Sequence, residues 1–339
     1  MKFKKEKKEK IINEIIKKID RKLPFYDHIM EKYKISRQTI RNYLKELVED
    51  NVLIEEGIRN KKYTLKELEL DIHLKIKGLK EDEVFKENVA LLIQDCPENF
   101  CDIVEYIFTE MLNNVIDHSK GKEVYIGVMI NYLRIFVMIG DDGIGIFRNI
   151  KNKKNLSSES EAIFELAKGK LTTDKKNHTG EGIFFSSRAS GVFRIESFGE
   201  IFTGIDEKDT LKHMNEEGKT NFSTTVCFLV EKNTKKTLVE IFDKYTDDDY
   251  GFAKTHILVS LFKEFEKKLI SRSQAKRFLN GLNKFKEITF DYKGIEIIGQ
   301  GFADQIYRIF YRENPEVILH NINTNKEIEF MIKRAISNR

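Results

Sequence analysis

Two carboxylates meet two glycines in IGDDGIGIF, residues 139–147. A glycine-rich turn often cradles phosphate with its backbone N–H groups, yet Asp141 and Asp142 would repel an anion there. A buried carboxylate suits a donor instead, such as the exocyclic amine of adenine. Gly143 and Gly145 let the backbone close around a flat base. Upstream, EYIFTEMLNNVIDHS at 105–119 reads as a helix that stacks Glu110 and Asn114 at i and i+4, with Asp117 and His118 one turn later. An Asn oxygen can ligate Mg²⁺, and Glu can accept a proton from a nucleophile. Asn113 and Asn114 equally suit an exposed polar face. Downstream, HTGEGIFFSS at 178–187 sets Gly180 and Gly182 before a predicted helix, whose N-terminus would offer N–H groups to phosphates. Lys168, Lys170, Lys175 and Lys176 precede it and could close over a triphosphate. Finally, STTV at 223–226 offers the Thr224 hydroxyl on a strand.

Several elements must position these groups. Residues 70–78 alternate and predict a strand, and helical material continues from there to about 118. Strands are predicted at 123–130 and 133–139, the second leading into the Asp141 turn. VFRIESFG, IFTGI and STTVCFLVE predict later strands. The polar stretch 150–180 is expected to be mobile at least in part, and DKYTDDDYG at 243–251 is the best candidate for a linker.

Over roughly residues 75–232 these elements, in this order, resemble the GHKL ATPases: gyrase, Hsp90, histidine kinases and MutL. Glu110, Asn114 and His118 match the N-box. Asp141, Gly143 and Gly145 match the first glycine box, and Gly180 and Gly182 the second. The last box departs, with Ser223-Thr224 where the family has Gly-Thr, which puts the role of Thr224 in doubt. The resemblance implies a Bergerat-type α/β sandwich that binds ATP with Mg²⁺ on Asn114. Asp141 would hold the adenine amine, and Glu110 would activate water or a protein hydroxyl. His118 lies inside the nucleotide helix and no separate dimerisation helix with a histidine precedes it, which disfavours an ordinary sensor histidine kinase.

Charge is uneven along the 339 residues. Net charge is +4, but residues 1–66 hold 19 Lys/Arg against 11 Asp/Glu, hence +8, leaving −4 for the rest. Any nucleic-acid binding is therefore expected at the N-terminus, although Lys-rich helices can also be simply solvated. Residues 7–22 place Ile11, Ile12, Ile15, Ile16 and Ile19 on one helical face. FYDHIMEKYK predicts a second helix. ISRQTIRNYLKELVEDN predicts a third, with Ser36 as N-cap and Ile40, Tyr43, Leu44 and Leu47 as its stripe. VLIEE and KKYTL read as two short strands about a turn at 57–60. Three helices and a hairpin resemble a winged helix-turn-helix of bacterial regulators. That resemblance implies base contacts from Arg37, Gln38, Arg41 and Lys45 and phosphate contacts from Arg59, Lys61 and Lys62. A winged helix used only for protein contacts is the alternative.

Beyond residue 250, helix and strand patterns alternate. SRSQAKRFL, a strand ending in Asp291, and GQGFADQI resemble the STAS-like domain DUF4325 over roughly 252–339. Anti-anti-sigma proteins of the STAS class carry a phosphorylated serine at the start of the helix. This chain has GQGFAD there, and Ser271 and Ser273 read as helix caps. The expectation is a multi-domain α/β protein: a winged helix at 1–69, a GHKL domain at 70–240 and a STAS-like domain at 250–339. Its function is expected to be a DNA-binding regulator switched by Mg·ATP, with duplex DNA as partner of residues 1–66. A protein partner would dock on the STAS-like domain, and a homodimer is left open. Whether ATP is hydrolysed is open too. The alternatives are a serine/threonine-type kinase acting on a separate partner, or a nucleotide-gated defence effector. No apolar run approaches the roughly 18 residues of a membrane span, and no apolar signal core comes after the charged MKFKKEKKEK, so a cytoplasmic protein without membrane contact is expected. Cys96, Cys101 and Cys227 read as free thiols.

Overall fold

The computed structural model describes residues 2–170, 180–205, 208–213, 222–249, 251–266 and 268–337. Residues Met1–Leu70 with Val128–Ile135 form one compact unit, and Asp71–Gly127 with Phe136–Arg339 the other.

In the first unit, helices α1 (Lys2–Asp20), α2 (Tyr26–Tyr33) and α3 (Arg37–Glu49) precede an antiparallel hairpin of β1 (Leu53–Glu56) and β2 (Lys62–Leu65). Ile11, Ile15, Ile16, Ile19, Ile29, Ile40, Leu44, Leu47 and Leu53 form its core. The isoleucines on α1 recur at the spacing that aligns one helical face, and burying that face is what stabilises so Lys-rich a helix. The Ser36 side chain accepts from the Thr39 N–H, so it starts α3 as expected. Leu133, from the turn at 131–133, packs on this core, and Arg134 pairs with Asp20.

The second unit is built on a seven-stranded sheet. Its strands are β3 (Leu68–Lys75), β4 (Glu123–Ile130), β5 (Arg134–Asp141), β6 (Val192–Ser197), β7 (Glu200–Ile205), β8 (Lys208–His213) and β9 (Thr224–Glu231), in the spatial order β3-β4-β5-β9-β6-β7-β8. Strand β6 runs antiparallel to both β7 and β9. The two-residue alternation of β4 and β5 buries Val124, Ile126, Val137 and Ile139 on one face and leaves the other half-exposed. Helices α4 (Glu81–Asn88), α5 (Ala90–Ile93) and α6 (Glu98–His118) come after β3. The long α6 buries Phe100, Ile107, Phe108, Met111 and Leu112, and packs on β9.

After β5 come α7 (Ile146–Lys154), α8 (Glu159–Lys168) and α9 (Gly182–Ala189). The polar stretch expected to be mobile is thus helical for most of its described part, and every residue of α8 from Ser160 to Lys168 is buried. Residues 171–179 lie outside the described residues. Helix α10 (Leu238–Tyr245) carries a capping box at Thr237. The stretch read as a linker then forms a tight turn, Thr246 bridging Phe252 and the Asp247 carboxylate accepting from the Gly251 N–H.

Next in the chain is a parallel sheet of β10 (Lys254–Leu258), β11 (Glu287–Asp291) and β12 (Ile318–Ile322), with β11 central. Helices α11 (Val259–Phe265), α12 (Arg272–Leu279), α13 (Gln300–Asp304), α14 (Tyr311–Glu313) and α15 (Lys326–Ile336) accompany it. A π-helical stretch, Gln305–Phe310, joins α13 to α14. Phe278 packs against Phe290 and Phe302 in this core. The regions read as separate domains at 70–240 and 250–339 pack within a single compact unit, because α8 is shared. The ring of Phe164 contacts those of Phe262 and Phe278, and the Thr255 hydroxyl donates to the Lys168 carbonyl at 2.8 Å. Among the described residues no helix is long and apolar enough to cross a membrane. The three cysteines are free thiols.

Candidate functional site

Asp141 is the last residue of β5 and is only 3% exposed. Its Oδ1 accepts from the Gly143 N–H at 2.8 Å, and the Thr224 side chain is a second partner. The Thr224 hydroxyl oxygen in turn accepts from the Ile146 N–H at 3.0 Å, tying β9 to the start of α7. Burial pushes the Asp141 carboxyl up to about 6, and the neighbouring charge of Asp142 adds to the rise. Asp142 is different. It is exposed, and its Oδ1 accepts from the N–H groups of Lys122 at 2.7 Å and Glu123 at 3.0 Å, which hold its carboxyl low. Asp142 braces the turn, whereas Asp141 keeps hydrogen-bonding capacity for a donor.

The glycines of this turn are required by protein atoms. A Cβ on Gly143 would run into the Ser119 carbonyl, which accepts from the Ile144 N–H at 2.9 Å. Gly145 has φ +81° and faces the ring of Phe198, so side chains are excluded there twice over. The C-terminal end of α6 is thereby laced to the Asp141 turn.

Glu110 and Asn114 are half-buried on α6. Gly182 opens α9 directly against Glu110, and a Cβ on Gly182 would overlap Glu110 Oε2. Gly180, with φ +74°, shapes the approach to this helix. Glu181 is half-buried, and burial raises its carboxyl while Lys170 opposes the rise. The Tyr106 hydroxyl, one turn before Glu110, is raised by burial and further by the charges of Glu110 and Glu181. Helix α6 thus brings the Asp141 turn and the Gly180–Gly182 turn, far apart in sequence, to its own flank.

Two of the lysines expected over the phosphates, Lys168 and Lys170, have partners within the chain. Lys168 is 2% exposed; its ammonium binds Glu165 at 2.5 Å and the Asn280 carbonyl at 2.9 Å, at the end of α12. Lys170 donates to the Lys284 carbonyl at 3.0 Å and lies over the rings of Phe285 and Phe252. Lys168 is held by Glu165, the Phe164 face and the Asn280 carbonyl, and Lys170 by the Lys284 carbonyl and the faces of Phe285 and Phe252. Lys175 and Lys176 lie outside the described residues. His118 is one turn beyond Asn114 on α6. Composition hid the partners of these lysines, and it gave no sign of Ser119 or Phe198. The only available signal for Ser119 was its place at the end of a helix, immediately before a glycine-bearing turn.

In the first unit, Arg37, Gln38, Arg41 and Lys45 are exposed on α3. The Arg37 guanidinium lies 4.8 Å from the Tyr26 ring centroid, and Gln38 donates to Asn42 at 3.0 Å. Lys45 pairs with Glu49 at 3.4 Å and Lys61 with Glu55 at 2.6 Å, so each carries an acidic neighbour. Arg59 and Lys62 are exposed on the hairpin. Its tip also displays Ile58, 95% exposed, which the charge pattern of the hairpin did not mark.

The molecule is thus a mixed α/β protein with several sheets. Residues 274–329 match the model of DUF4325, a STAS-like domain of unknown function. The matched segment runs from α12 to α15 and contains Asp291 and the Gly299–Asp304 stretch. No curated protein matches the chain.

Proposed function

We propose that the chain is a GHKL-type nucleotide-binding regulator that takes Mg·ATP beside α6 and binds duplex DNA through a winged helix-turn-helix in residues 1–66. The observation that carries the reading is Asp141. A carboxylate 3% exposed, raised to about 6 and held by one N–H and one hydroxyl, favours a further hydrogen-bond donor such as the adenine amine. The flanking residues fit the rest of such a ligand. Asn114 supplies an oxygen for Mg²⁺, and Gly180 and Gly182 open a helix N-terminus near Glu110.

When bound, Mg·ATP supplies an activated γ-phosphoryl group. The chain's own residues orient and exclude. Asp141 fixes the base through its Oδ atoms, with Thr224 holding the carboxylate in place. Glu110 is the group able to take a proton from water. The STAS-like segment docks a protein partner, and the basic α3 face with Arg59, Lys61 and Lys62 meets DNA.

Calorimetric titration with Mg·ATP tests the reading. The wild type binds, Asp141→Asn does not, and Glu110→Ala binds without turnover. A wild type that fails to bind Mg·ATP overturns it. Binding to duplex DNA that weakens steeply with salt tests the N-terminal part.

A further inference from the structure

Between α12 and the helical rod formed by α13, the π-helical stretch and α14 lies a cavity of about 780 Å³. Gln305, the first residue of the π-helical stretch, lines it. This side chain is only 4% exposed, and its Oε1 has no hydrogen-bond partner among the described residues. A buried acceptor left without a donor lowers stability, and π-helical turns occur often at functional sites. Leu279 and Phe310, both buried, also line the cavity. Its charges are divided. At one end Arg272 and Arg308 share the single carboxylate of Asp304, at 2.8 and 2.5 Å, and Lys276 stands exposed one turn along α12. At the other end Glu313 is exposed at the close of α14. Neither Lys276 nor Glu313 forms an ion pair with a described residue.

We propose that this cavity binds an extended stretch of a partner protein, about four residues long, with an acidic side chain toward Arg272 and Lys276 and a basic one toward Glu313. The proposal rests on the docking role given above to the STAS-like segment and not on the nucleotide site. Asp304 marks the Arg272 end, and Glu313 stands nine residues further along the rod, about 13 Å by helical rise. An extended chain covers that distance in about four residues. Its backbone brings the N–H group that Gln305 Oε1 lacks, met once the amide turns about its terminal bond. Its apolar side chains can lie on Leu279 and Phe310. Two guanidinium groups on one carboxylate leave a positive surplus for an incoming acid, and Lys276 adds to it. A peptide whose ends carry the same charge satisfies only one end of the cavity.

The test is an array of immobilised tetrapeptides probed with the full chain, then fluorescence anisotropy of the strongest binder, labelled. The array holds three sets: ends opposite in charge, ends alike in charge, and ends uncharged. The first set should be retained and the other two should not. Gln305→Met should weaken binding at least about fivefold and also raise the urea midpoint, because the orphaned oxygen is gone. An amide that serves only the fold would not give that pair of changes. Lys276→Glu, a surface change, should weaken binding at least about threefold, and it serves if Gln305→Met does not fold. Failure to retain the oppositely charged set overturns the proposal. Peptides bound equally by the wild type and both variants overturn it too, and leave the docking role to another face of the segment. A dimer of the chain that Lys276→Glu dissociates, read by sedimentation, would give the cavity to a second copy and likewise overturn it. Titrations with Mg·ATP and DNA are read separately, so failure here leaves those parts of the reading standing.

Discussion

Replacing Asp141 by Asn should stabilise the protein while destroying its proposed function, and the size of the effect comes from burial. An aspartate in the unfolded chain titrates near 3.8, and Asp141 in the fold near 6. Between those values the folded chain holds the proton more tightly, so acid favours folding through this group. Its destabilising effect is fully present above about pH 6, fades as pH falls, and is gone below about 4. A tenfold difference in proton affinity corresponds to about 1.4 kcal/mol, so the buried carboxylate costs about 3 kcal/mol at neutral pH. Asn keeps the shape, can accept from the Gly143 N–H and can donate to Thr224. It still leaves water, so a net gain of about 1–3 kcal/mol is expected. Urea denaturation of both proteins at pH 7.5 and pH 4.5, monitored by circular dichroism, reads this out. Asp141→Asn should be the more stable at pH 7.5, and the gap should narrow markedly at pH 4.5. A variant less stable at pH 7.5, or a gap that does not shrink in acid, refutes the reasoning.

Lys168→Met leaves Glu165 buried without its ammonium and should cost about 3 kcal/mol, most of it recovered by adding Glu165→Leu; denaturant midpoints of the single and double variants check this. Gly145→Ala must place a methyl at φ +81° against Phe198 and should cost about 2 kcal/mol or more in the same assay. Arg59→Ala with Lys62→Ala should weaken DNA binding and lower the slope of log affinity against log salt by about two, measured by fluorescence anisotropy at several salt concentrations. An unchanged slope would mean that the hairpin faces something other than the DNA backbone.

Much of this architecture is legible because it is local. The isoleucine spacing of α1, the Ser36 cap, the alternation of β4 and β5 and the Ser271 capping box each depend on neighbours within a few residues. Glu110 and Asn114 are readable as one face of one helix. The partners of Lys168 and Lys170 were not, because they include carbonyl oxygens at 280 and 284, over a hundred residues away. A carbonyl has no residue type and leaves no mark in a sequence. The same holds for α8, whose Lys, Ser and Glu residues suggest a solvated helix. Part of the helix's burial comes from the later residues Thr255, Phe262 and Phe278, and Glu165 and Lys168 are buried as a pair. Contact of Gly182 with Glu110 is likewise a property of the closed fold.

Helix α8 has a consequence for how this chain can be divided. Domains strung on a linker can be cut apart, shuffled and inherited separately. Here a charged helix from before residue 170 completes the core built by residues beyond 250, and the end of α12 supplies a carbonyl oxygen that accepts from its lysine. A fragment ending near 245 would expose Phe164 and strand Lys168 without the Asn280 carbonyl, and a fragment beginning there would open the cleft around Phe262 and Phe278. The segment recognisable by family likeness is therefore smaller than the piece that must be kept whole, and substitutions on one side of that seam are constrained by residues on the other.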